Sequence, residues 1–370
     1  MHIPWCIKKC PYCDFNSHAV KDGAPEAAYV DALLRDLAED SRLYAINRPI
    51  RSIFIGGGTP SLFSPEALDR LLTGIGQQVQ FIDDIEITLE ANPGTFESQK
   101  FAEFRALGIN RLSIGIQSFD DRFLRALGRV HSAREALRAV DIAQKAGFDN
   151  LNLDLMFGLP GASQDSGIDD IRTAIGLNPT HISFYQLTLE PNTYFHRFPP
   201  KLPNDDLIFA TQQACQALLT EHGYAQYEIS AYSQPGRQCR HNLNYWQFGD
   251  YLGIGAGAHG KISLALPGNI VRTVKPRGPE QYLQDTHRQG GAQAIDRQEL
   301  PLEFVMNHLR LLQGFTRAAF TATTGLEATA LEPGLSLNCR QNLLIQQDDG
   351  YYCSAKGWDF LDTVLQNFIA

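Results

Sequence analysis

The chain begins MHIPWCIKKCPYCDFNSH (residues 1–18), and three of its seven cysteines, Cys6, Cys10 and Cys13, are crowded there with the spacing C-x3-C-x2-C. Phe15 stands where a fourth thiol could have followed. A structural zinc site uses four ligands, usually from two C-x2-C pairs or with histidines at fixed spacing. A cubane iron–sulfur cluster takes one ligand per iron, so three thiolates would leave one iron open to an exchangeable molecule. The spacing therefore favours a cluster that does chemistry over a closed zinc-binding module.

The composition limits the classes of protein that remain. With 370 residues the chain can form one large domain and a smaller one. The net charge is -9 and no Lys/Arg-rich block occurs, which argues against a nucleic-acid partner. No stretch reaches the roughly 18 apolar residues that span a bilayer, and no signal peptide is visible, although a peripheral membrane contact stays open. The other four cysteines have no framework spacing, so we expect reduced thiols and a cytoplasmic location.

Short apolar runs alternate with amphipathic stretches through the first half of the chain. Strands are predicted at HIPW (2–5), 52–58, 85–93, 111–119, 151–160 and 181–187. Helices are predicted between them, most clearly at 25–43, 64–75 and 132–147. This alternation implies right-handed βαβ units and a parallel sheet. Six units fall short of the eight in a closed barrel. The predicted fold class is therefore α/β, with a partial, open (β/α)6 barrel.

Glycines and polar residues cluster where the predicted strands end. They are Gly56 to Thr59, Glu90, Asn92, Gln117 and Asp154, and the three cysteines follow the first strand. Taken singly, each could mark a turn or end a strand. In a parallel sheet, however, the carboxyl ends of the strands meet at one edge, where functional residues collect. The clustering therefore predicts a site at that edge.

The composition changes after about residue 190. Segment 190–205 is rich in proline and polar residues, and a helix (206–223) and a further strand (224–230) are predicted after it. Residues 231–300 are irregular and include the glycine-rich GDYLGIGAGAHG. A helical pattern restarts near residue 301, and the chain ends in a predicted hairpin and closing helix. We therefore expect a core domain at 1–230, a connecting segment at 231–300 and a smaller, mainly helical domain at 301–370.

The cysteine motif, with an aromatic residue before its last cysteine, resembles that of the radical S-adenosylmethionine (SAM) superfamily. FIGGGTPS, LEANPGT, RLSIGIQSF, LGRVH and LDLMFGLP extend the resemblance, which runs from residue 1 to about residue 360. Together these motifs are similar to the branch that contains oxygen-independent coproporphyrinogen III oxidases (HemN) and heme chaperones. The resemblance implies a radical SAM core followed by a HemN-type C-terminal domain. It also implies a [4Fe–4S] cluster on Cys6, Cys10 and Cys13, with SAM on the open iron.

The same resemblance implies which other residues contact SAM. Gly57, Gly58 and Thr59 would approach its amino group and methionyl part, because a glycine edge lets the backbone come close. The remaining polar groups of SAM would be taken by Glu90, Gln117, Arg129 and Asp154. Alternatives stay open for two of these residues: Arg129 could be a solvated charge at a helix end, and Asp154 a strand-end cap.

Two features separate the two activities within this branch. The oxidases carry a further cysteine two residues after the third, whereas the chaperones have phenylalanine there, as at Phe15. HNLNYW (241–246) is similar to the heme-binding signature of the chaperones. Imidazole is a common axial ligand of heme iron, so His241 is the candidate ligand, with Tyr245 and Trp246 as flat apolar faces beside the macrocycle. The alternative for His241 is a packing role.

The resemblance therefore implies a heme chaperone, which binds heme and transfers it to an unidentified acceptor protein. No catalytic residue is assigned. The alternative is an oxygen-independent coproporphyrinogen III oxidase, a radical SAM enzyme that oxidatively decarboxylates propionate side chains.

One position departs from the family pattern. The family usually has an aromatic residue, typically tyrosine, six residues before the first cysteine, but Met1 lies only five residues before Cys6. Either the true start lies upstream or this variant lacks that contact. In the first case, we expect upstream codons to encode an aliphatic strand that contains tyrosine.

Overall fold

The computed structural model describes residues 1–20, 23–94, 98–264, 269–284 and 291–369. Its strands are β1 (His2–Ile3), β2 (Trp5–Cys6), β3 (His18–Ala19), β4 (Ile50–Gly57), β5 (Phe81–Ala91), β6 (Arg111–Gln117), β7 (Leu151–Phe157), β8 (His181–Gln186), β9 (Ala225–Glu228), β10 (Ala231–Ser233), β11 (His259–Ser263), β12 (Ile270–Val274), β13 (Ala292–Ala294), β14 (Phe315–Thr316), β15 (Leu344–Gln347) and β16 (Gly350–Cys353).

The helices of the described residues are α1 (Glu26–Leu43), α2 (Pro65–Gly76), α3 (Phe101–Ala106), α4 (Asp121–Ala126), α5 (Ala133–Lys145), α6 (Gln164–Gly176), α7 (Tyr194–Arg197), α8 (Asp205–Glu221), α9 (Arg240–Trp246), α10 (Pro279–Gln284), α11 (Leu300–His308), α12 (Arg317–Thr324), α13 (Gly334–Arg340), α14 (Ala355–Asp359) and α15 (Leu361–Gln366). None of these helices is long and apolar enough to cross a membrane.

The main sheet confirms the predicted open barrel of parallel strands. Within the described residues it has the order β1-β4-β5-β6-β7-β8-β10-β9, and the pairs from β1 to β8 are all parallel. β10 and β9 extend the sheet in antiparallel fashion. The single strand expected at 224–230 ends at Glu228, because the N–H of Ile229 donates to Arg310 O instead of continuing the ladder. The chain then turns back as β10.

The parallel strands alternate between two environments. One set of positions, such as Ile87 and Leu89 of β5, belongs to the apolar core beneath the helices. The other set points into the barrel, because successive side chains of a strand face opposite sides. The interior set is polar and consists of Glu86, Thr88, Glu90, Arg111, Ser113, Asn152, Asp154, His181 and Ser183. The barrel therefore has a polar interior, and its outer face is apolar and packs against the helices.

Local signals fix the helices that were predicted around this sheet. Ser64 caps α2 by accepting a hydrogen bond from the N–H of Ala67. Ser132 and Glu135 form a reciprocal capping box at the start of α5. Gly147 follows α5 with a φ of +86°, a conformation that suits glycine after a helix end. These caps confirm the predicted helix starts at residues 64 and 132.

The C-terminal part of the chain has its own apolar cluster around Phe304 of α11. The predicted hairpin is β15–β16, but the predicted closing helix is two short helices, α14 and α15, that meet at Phe360. The segment between the barrel and this cluster contributes to both cores. Ile254 packs into the barrel core, whereas Phe248 packs with Phe304.

A buried ion cluster ties this connecting segment to the barrel. The Nζ atom of Lys275, which follows β12, lies 2.7 Å from Asp36 and 2.8 Å from Asp40 of α1. Tyr282 of α10 donates a hydrogen bond to Asp36 at 2.6 Å. All three ionic side chains are shielded from solvent. Removing the cation would therefore leave two carboxylates without their partner in a region of low dielectric constant.

We expect Lys275→Ala to lower the free energy of unfolding by about 3–5 kcal/mol, the cost of leaving buried charges unpaired. Urea denaturation followed by circular dichroism would measure it. The control is Lys145→Ala, which removes an exposed ion pair with Asp141 on α5 and should cost less than about 1 kcal/mol. Equal losses in the two variants would contradict a structural role for the buried cluster.

Candidate functional site

A cavity of about 340 Å³ opens at the carboxyl edge of the barrel strands. Its lining includes every residue that the sequence assigns to the cluster and SAM: Cys6, Cys10, Cys13, Gly57, Gly58, Thr59, Glu90, Gln117, Arg129 and Asp154. His241 is not part of this lining. The structure thus brings together residues from six separate segments, while their contact with a cofactor stays a prediction.

The three thiols lie on a loop, residues 6–17, which we call the cysteine loop. Its ends are held together because β2 and β3 pair in parallel, with Trp5 opposite His18. Inside the loop, the N–H of Cys13 donates to Cys10 O at 3.2 Å. Cys6, Cys10 and Cys13 are free and only partly buried. A short closed loop therefore presents three reachable thiols to one cavity.

The glycine-rich segment of the connecting region packs against the cysteine loop. The side-chain amide of Asn16 donates to Ala256 O and to Arg277 O, both at 2.9 Å. Gly257 has a φ of +74°, and a Cβ atom there would collide with the Asn16 amide. The sequence of GDYLGIGAGAHG predicts an irregular segment. In the structure this segment packs against the cysteine loop and accepts a hydrogen bond from Asn16.

The electrostatics around the thiols combine burial with one fixed cation. Burial raises the pKa of Cys6, and a hydrogen bond from Thr59 opposes this change. Burial also raises the pKa of Cys13, opposed by hydrogen bonds from Ser17 and the Phe15 backbone. Arg129 approaches Cys10, with Nη1 donating to Sγ at 3.6 Å.

The donor set suits an iron–sulfur cluster. Soft thiolates are the ligands that such clusters use, each on its own iron. The described residues contain no group of His, Cys, Asp or Glu side chains that could hold a single metal ion. Cluster ligands do not need to converge on one point, since each thiolate binds a different iron. Arg129 Nε, buried beside the loop, has no partner among the described residues.

Gly57 and Gly58 join the end of β4 to the start of the cysteine loop. The N–H of Gly58 donates to Ile3 O at 2.8 Å, and that of Thr59 to Trp5 O at 2.7 Å. A Cβ atom on Gly58 would lie only 2.5 Å from Trp5 O. Glycine is therefore required for the close approach of two backbones. The N–H groups of Gly58 and Thr59 are engaged with protein backbone, and the backbone groups able to accept from an ammonium group are the carbonyl oxygens.

Asn92 connects Thr59, next to Gly57 and Gly58, to Arg129. From the sequence, only its position at a strand end was predicted. Its Nδ2 donates to Thr59 Oγ1 at 2.8 Å. Its Oδ1 accepts from Arg129 Nη2 at 2.6 Å, and the same Nη2 also donates to Gly115 O at 2.8 Å. Arg129 is therefore a partly buried cation fixed by two acceptors, and not a solvated charge at a helix end.

Two acidic residues, Glu90 and Asp154, belong to the lining of the cavity. Glu90 accepts from the N–H of Gly57 at 3.0 Å, and burial, with the charge of Asp154, raises its pKa to about 7. Asp154 accepts from Ser113 at 3.1 Å and from Asn152 at 2.8 Å. Burial raises the pKa of Asp154 in spite of these bonds. Asp154 is thus held in an interior network, which the alternative of a simple strand-end cap does not explain.

Gln117 ends β6 in a strained conformation. Its φ is +69°, and the pairing of β6 with β7 is irregular between Ile114 and Gln117. Its side-chain Oε1 accepts from the hydroxyl of Tyr185 at 2.8 Å. A non-glycine residue in this region of conformation often marks a functional site. Tyr185 also lines the cavity and was not singled out from the sequence.

HNLNYW forms the short helix α9, deeper in the barrel than the cavity. The ring of His241 stacks on Phe54 with centroids 4.6 Å apart, and the backbone N–H of His241 donates to Glu86 Oε1 at 3.2 Å. Glu86 precedes Glu90 by four residues on β5, which places it about 13 Å further from the cavity edge. Burial lowers the pKa of His241 to about 3. The histidine is therefore neutral at physiological pH and separate from the thiols.

The aromatic residues of the motif lie on the next turn of α9. Tyr245 follows His241 by one helical turn and lies 5.2 Å from Tyr251, ring to ring. One face of Trp246 is covered by the guanidinium of Arg310 at 4.3 Å. Part of the expected aromatic surface is thus already used for packing within the protein.

Comparison with known proteins finds matches to radical SAM proteins. Sequence profiles match the radical SAM superfamily at residues 1–174 and the HemN C-terminal domain at residues 295–360. The chain is 47% identical to heme chaperone HemW of Escherichia coli, covering 100% of this chain and 97% of that protein. It is 48% identical to heme chaperone HemW of Haemophilus influenzae, with coverages of 100% and 97%.

A more distant relative and a solved structure agree with this placement. The chain is 33% identical to the mitochondrial radical S-adenosyl methionine domain-containing protein 1 of Bos taurus, covering 100% of this chain and 86% of that protein. The fold is similar to that of coproporphyrinogen III oxidase (HemN) from Escherichia coli, with a TM-score of 0.83 and 24% identity over 99% of this chain and 88% of that one. The predicted fold class is thereby confirmed.

We expect Glu90 to make the cofactor-free protein less stable as the pH rises from about 4.5 to 7. The folded carboxyl has a pKa of about 7, whereas the ordinary value is 4.5. Between these values the folded state binds more protons than the unfolded state, so the free energy of unfolding falls with increasing pH. Glu90→Gln cannot ionise, and its stability relative to the parent should increase across this window in denaturant titrations.

The control for loss of a carboxylate is Glu66→Gln on the exposed side of α2. A stability difference between Glu90→Gln and the parent that does not change with pH would contradict a buried, proton-holding Glu90.

Proposed function

Since this chain belongs to the HemW family of the radical SAM superfamily, we propose that it is a heme chaperone, which binds heme and passes it to an acceptor protein. The observation that carries the proposal is the position of His241. The HNLNYW helix lies apart from the thiol-lined cavity, so a heme contact at His241 and a cofactor site at the thiols would share no ligand. Within the described residues, no hydrogen bond occupies the His241 ring nitrogens.

The cofactor part of the proposal follows from the cavity. Cys6, Cys10 and Cys13 would hold a [4Fe–4S] cluster, which when bound supplies a one-electron redox centre and a coordination site for SAM. The backbone of Gly57, Gly58 and Thr59 would receive the SAM amino group. Its other polar groups would meet Glu90, Gln117, Arg129 and Asp154. Glu90 and Asp154 can balance a sulfonium cation, and the guanidinium of Arg129 can pair with a carboxylate.

Phe15 supports the chaperone over the oxidase. It lines the cavity and is 59% exposed, so an apolar ring is presented where the oxidases resembled by this sequence would place another thiol. The net charge of -9 disfavours nucleic acid as a partner. Because the cluster needs reduced thiols, we place the protein in a reducing compartment, the cytoplasm. The heme acceptor is a protein whose identity the chain does not specify.

The neutral imidazole of His241 is in the correct protonation state to bind iron. Burial holds its pKa at about 3, so no proton competes for the ring at physiological pH. A planar, largely apolar heme would be expected to pack beside aromatic rings. Tyr245, one turn further along α9, is the nearest such ring of the motif.

We expect Cys6→Ala, Cys10→Ala and Cys13→Ala each to abolish the cluster, because every thiolate holds one iron. Anaerobic reconstitution followed by iron and sulfide counts would measure this, with about four irons per chain expected for the parent. Cys339→Ala is the matched control, since Cys339 is also free and partly buried but lies in α13. A triple variant of Cys6, Cys10 and Cys13 that still binds about four irons would overturn the assignment.

We expect His241→Ala to shift the Soret band and to raise the heme dissociation rate by about tenfold or more, as loss of a ligand mainly affects dissociation. Iron–sulfur content and SAM binding should not change, because the cavity lies elsewhere. The control is His259→Ala, an exposed imidazole in GAGAHG. Unaltered heme retention in His241→Ala would remove the proposed ligand. Decarboxylation of coproporphyrinogen III by the parent would favour the oxidase.

A further inference from the structure

Glu86 is a buried carboxylate that the cofactor cavity does not use. It lies on β5 inside the barrel, is only 6% exposed and is absent from the cavity lining. Both of its oxygens accept hydrogen bonds from the backbone of α9. Arg240 N donates to Oε2 at 3.1 Å, and His241 N donates to Oε1 at 3.2 Å. A barrel strand therefore holds the first turn of the helix that carries HNLNYW.

Helix α9 has no side-chain cap from its own N-terminal flanking residue. Cys239 is the residue before α9, and its side chain makes no capping hydrogen bond to the helix. The thiol of Cys239 instead points at Glu86, with Sγ 3.6 Å from Oε1. The first N–H groups of a helix need acceptors, and a carboxylate suits the positive end of the helix dipole. Glu86 supplies from another strand what the local sequence lacks.

The segment before α9 is anchored by the same interior wall. The hydroxyl of Tyr227 accepts from the N–H of Cys239 at 3.3 Å and is bonded to His181 Nε2 at 2.8 Å. Arg111, one strand away from Glu86, is also buried and places a cation in this part of the interior. The entry to α9 is thus fixed over three consecutive residues, 239 to 241.

The ring of His241 lacks the orienting hydrogen bond that a metal-binding histidine usually has. Such histidines donate their second ring nitrogen to a carboxylate, a carbonyl or water, which fixes the ring direction. In the described part of the chain, the His241 ring stacks on Phe54 and its nitrogens make no hydrogen bond. Its direction therefore depends on where the backbone of residue 241 is placed, and Glu86 accepts the hydrogen bond from the N–H of that residue.

We propose that Glu86 is a positioning residue for heme ligation: by anchoring the His241 backbone, it sets the direction of the imidazole. This inference rests on the proposed function, in which His241 binds heme iron. Glu86 has no part in cofactor binding at the cavity. In this proposal its effect on heme passes through His241, which distinguishes positioning from a general contribution to stability.

The test compares Glu86→Ala and Glu86→Gln with the parent, each with His241 intact and with His241→Ala. Glu86→Ala should raise the heme dissociation rate about tenfold, the scale of a lost hydrogen bond to a charged group, and should shift the Soret band. Glu86→Gln keeps one acceptor oxygen, so a rise of about threefold is expected. In the His241→Ala protein, neither change should alter the dissociation rate further, because the residue acts through His241.

Asp170→Ala is the matched control. Asp170 is 5% exposed and accepts the N–H of Phe119 at 2.6 Å, so it is another buried carboxylate that anchors backbone. It should lower the thermal midpoint of the heme-free protein without shifting the Soret band. Equal spectral shifts from Asp170→Ala and Glu86→Ala, or an effect of Glu86→Ala that persists without His241, would overturn the proposal.

Other results of the same test would contradict either this inference or the proposed heme ligand. If Glu86→Ala does not fold, Glu86→Gln is the deciding variant, and a dissociation rate and Soret band equal to the parent's would overturn positioning. If the Glu86 variants match the parent while His241→Ala loses heme, only this inference fails. If His241→Ala itself retains heme, the proposed ligand fails and the inference fails with it.

Discussion

Parallel pairing of the barrel strands is the constraint on which the rest of the structure depends. Thr59, Glu90, Gln117 and Asp154 come from different motifs, and nothing local to any of them produces a cavity. They meet because the ladders hold the strands in register, with Glu90 opposite Ser113 and Ser113 opposite Asn152. The carboxyl ends of all these strands then reach the same edge. The cysteine loop joins that edge through Gly58 and Thr59, whose N–H groups bond to the backbone around Trp5.

The polar interior gives this barrel two functional ends instead of one. Strands of a parallel sheet that are buried on both faces are ordinarily apolar throughout, yet β5 alternates Glu86, Thr88 and Glu90 with core residues. Each interior polar group needs a partner, because an unpaired one in low dielectric is costly. Asp154 has Ser113 and Asn152, whereas Glu86 has the start of α9. One end therefore serves the cavity, and the other holds the HNLNYW helix.

The sequence predicted the barrel and the cavity because both follow from repeated local patterns. Strand and helix signals alternate, and the polar residues stand at strand ends, where a parallel sheet must gather them. The support of the site could not be predicted in the same way. Asn16 and Ala256 are 240 positions apart, and no spacing rule links them. Glu86 reads as an ordinary strand residue in IEITLE, although its alternation with Glu90 was a signal for a polar interior. The break between β9 and β10 likewise depends on a distant contact, with Arg310.

The two ends of the barrel have separate ligands but share a wall. Phe54 stacks on His241 from one side. On the other side it crowds Gly56, where a Cβ atom would lie 2.7 Å from the Phe54 ring and 2.9 Å from Glu90. Glycine at position 56 therefore makes room for the ring and the carboxylate together. The Phe54 ring therefore contacts the imidazole and also lies beside Gly56. A side chain at Gly56 would displace Phe54 or Glu90 and disturb both ends, even though it belongs to neither set of ligands.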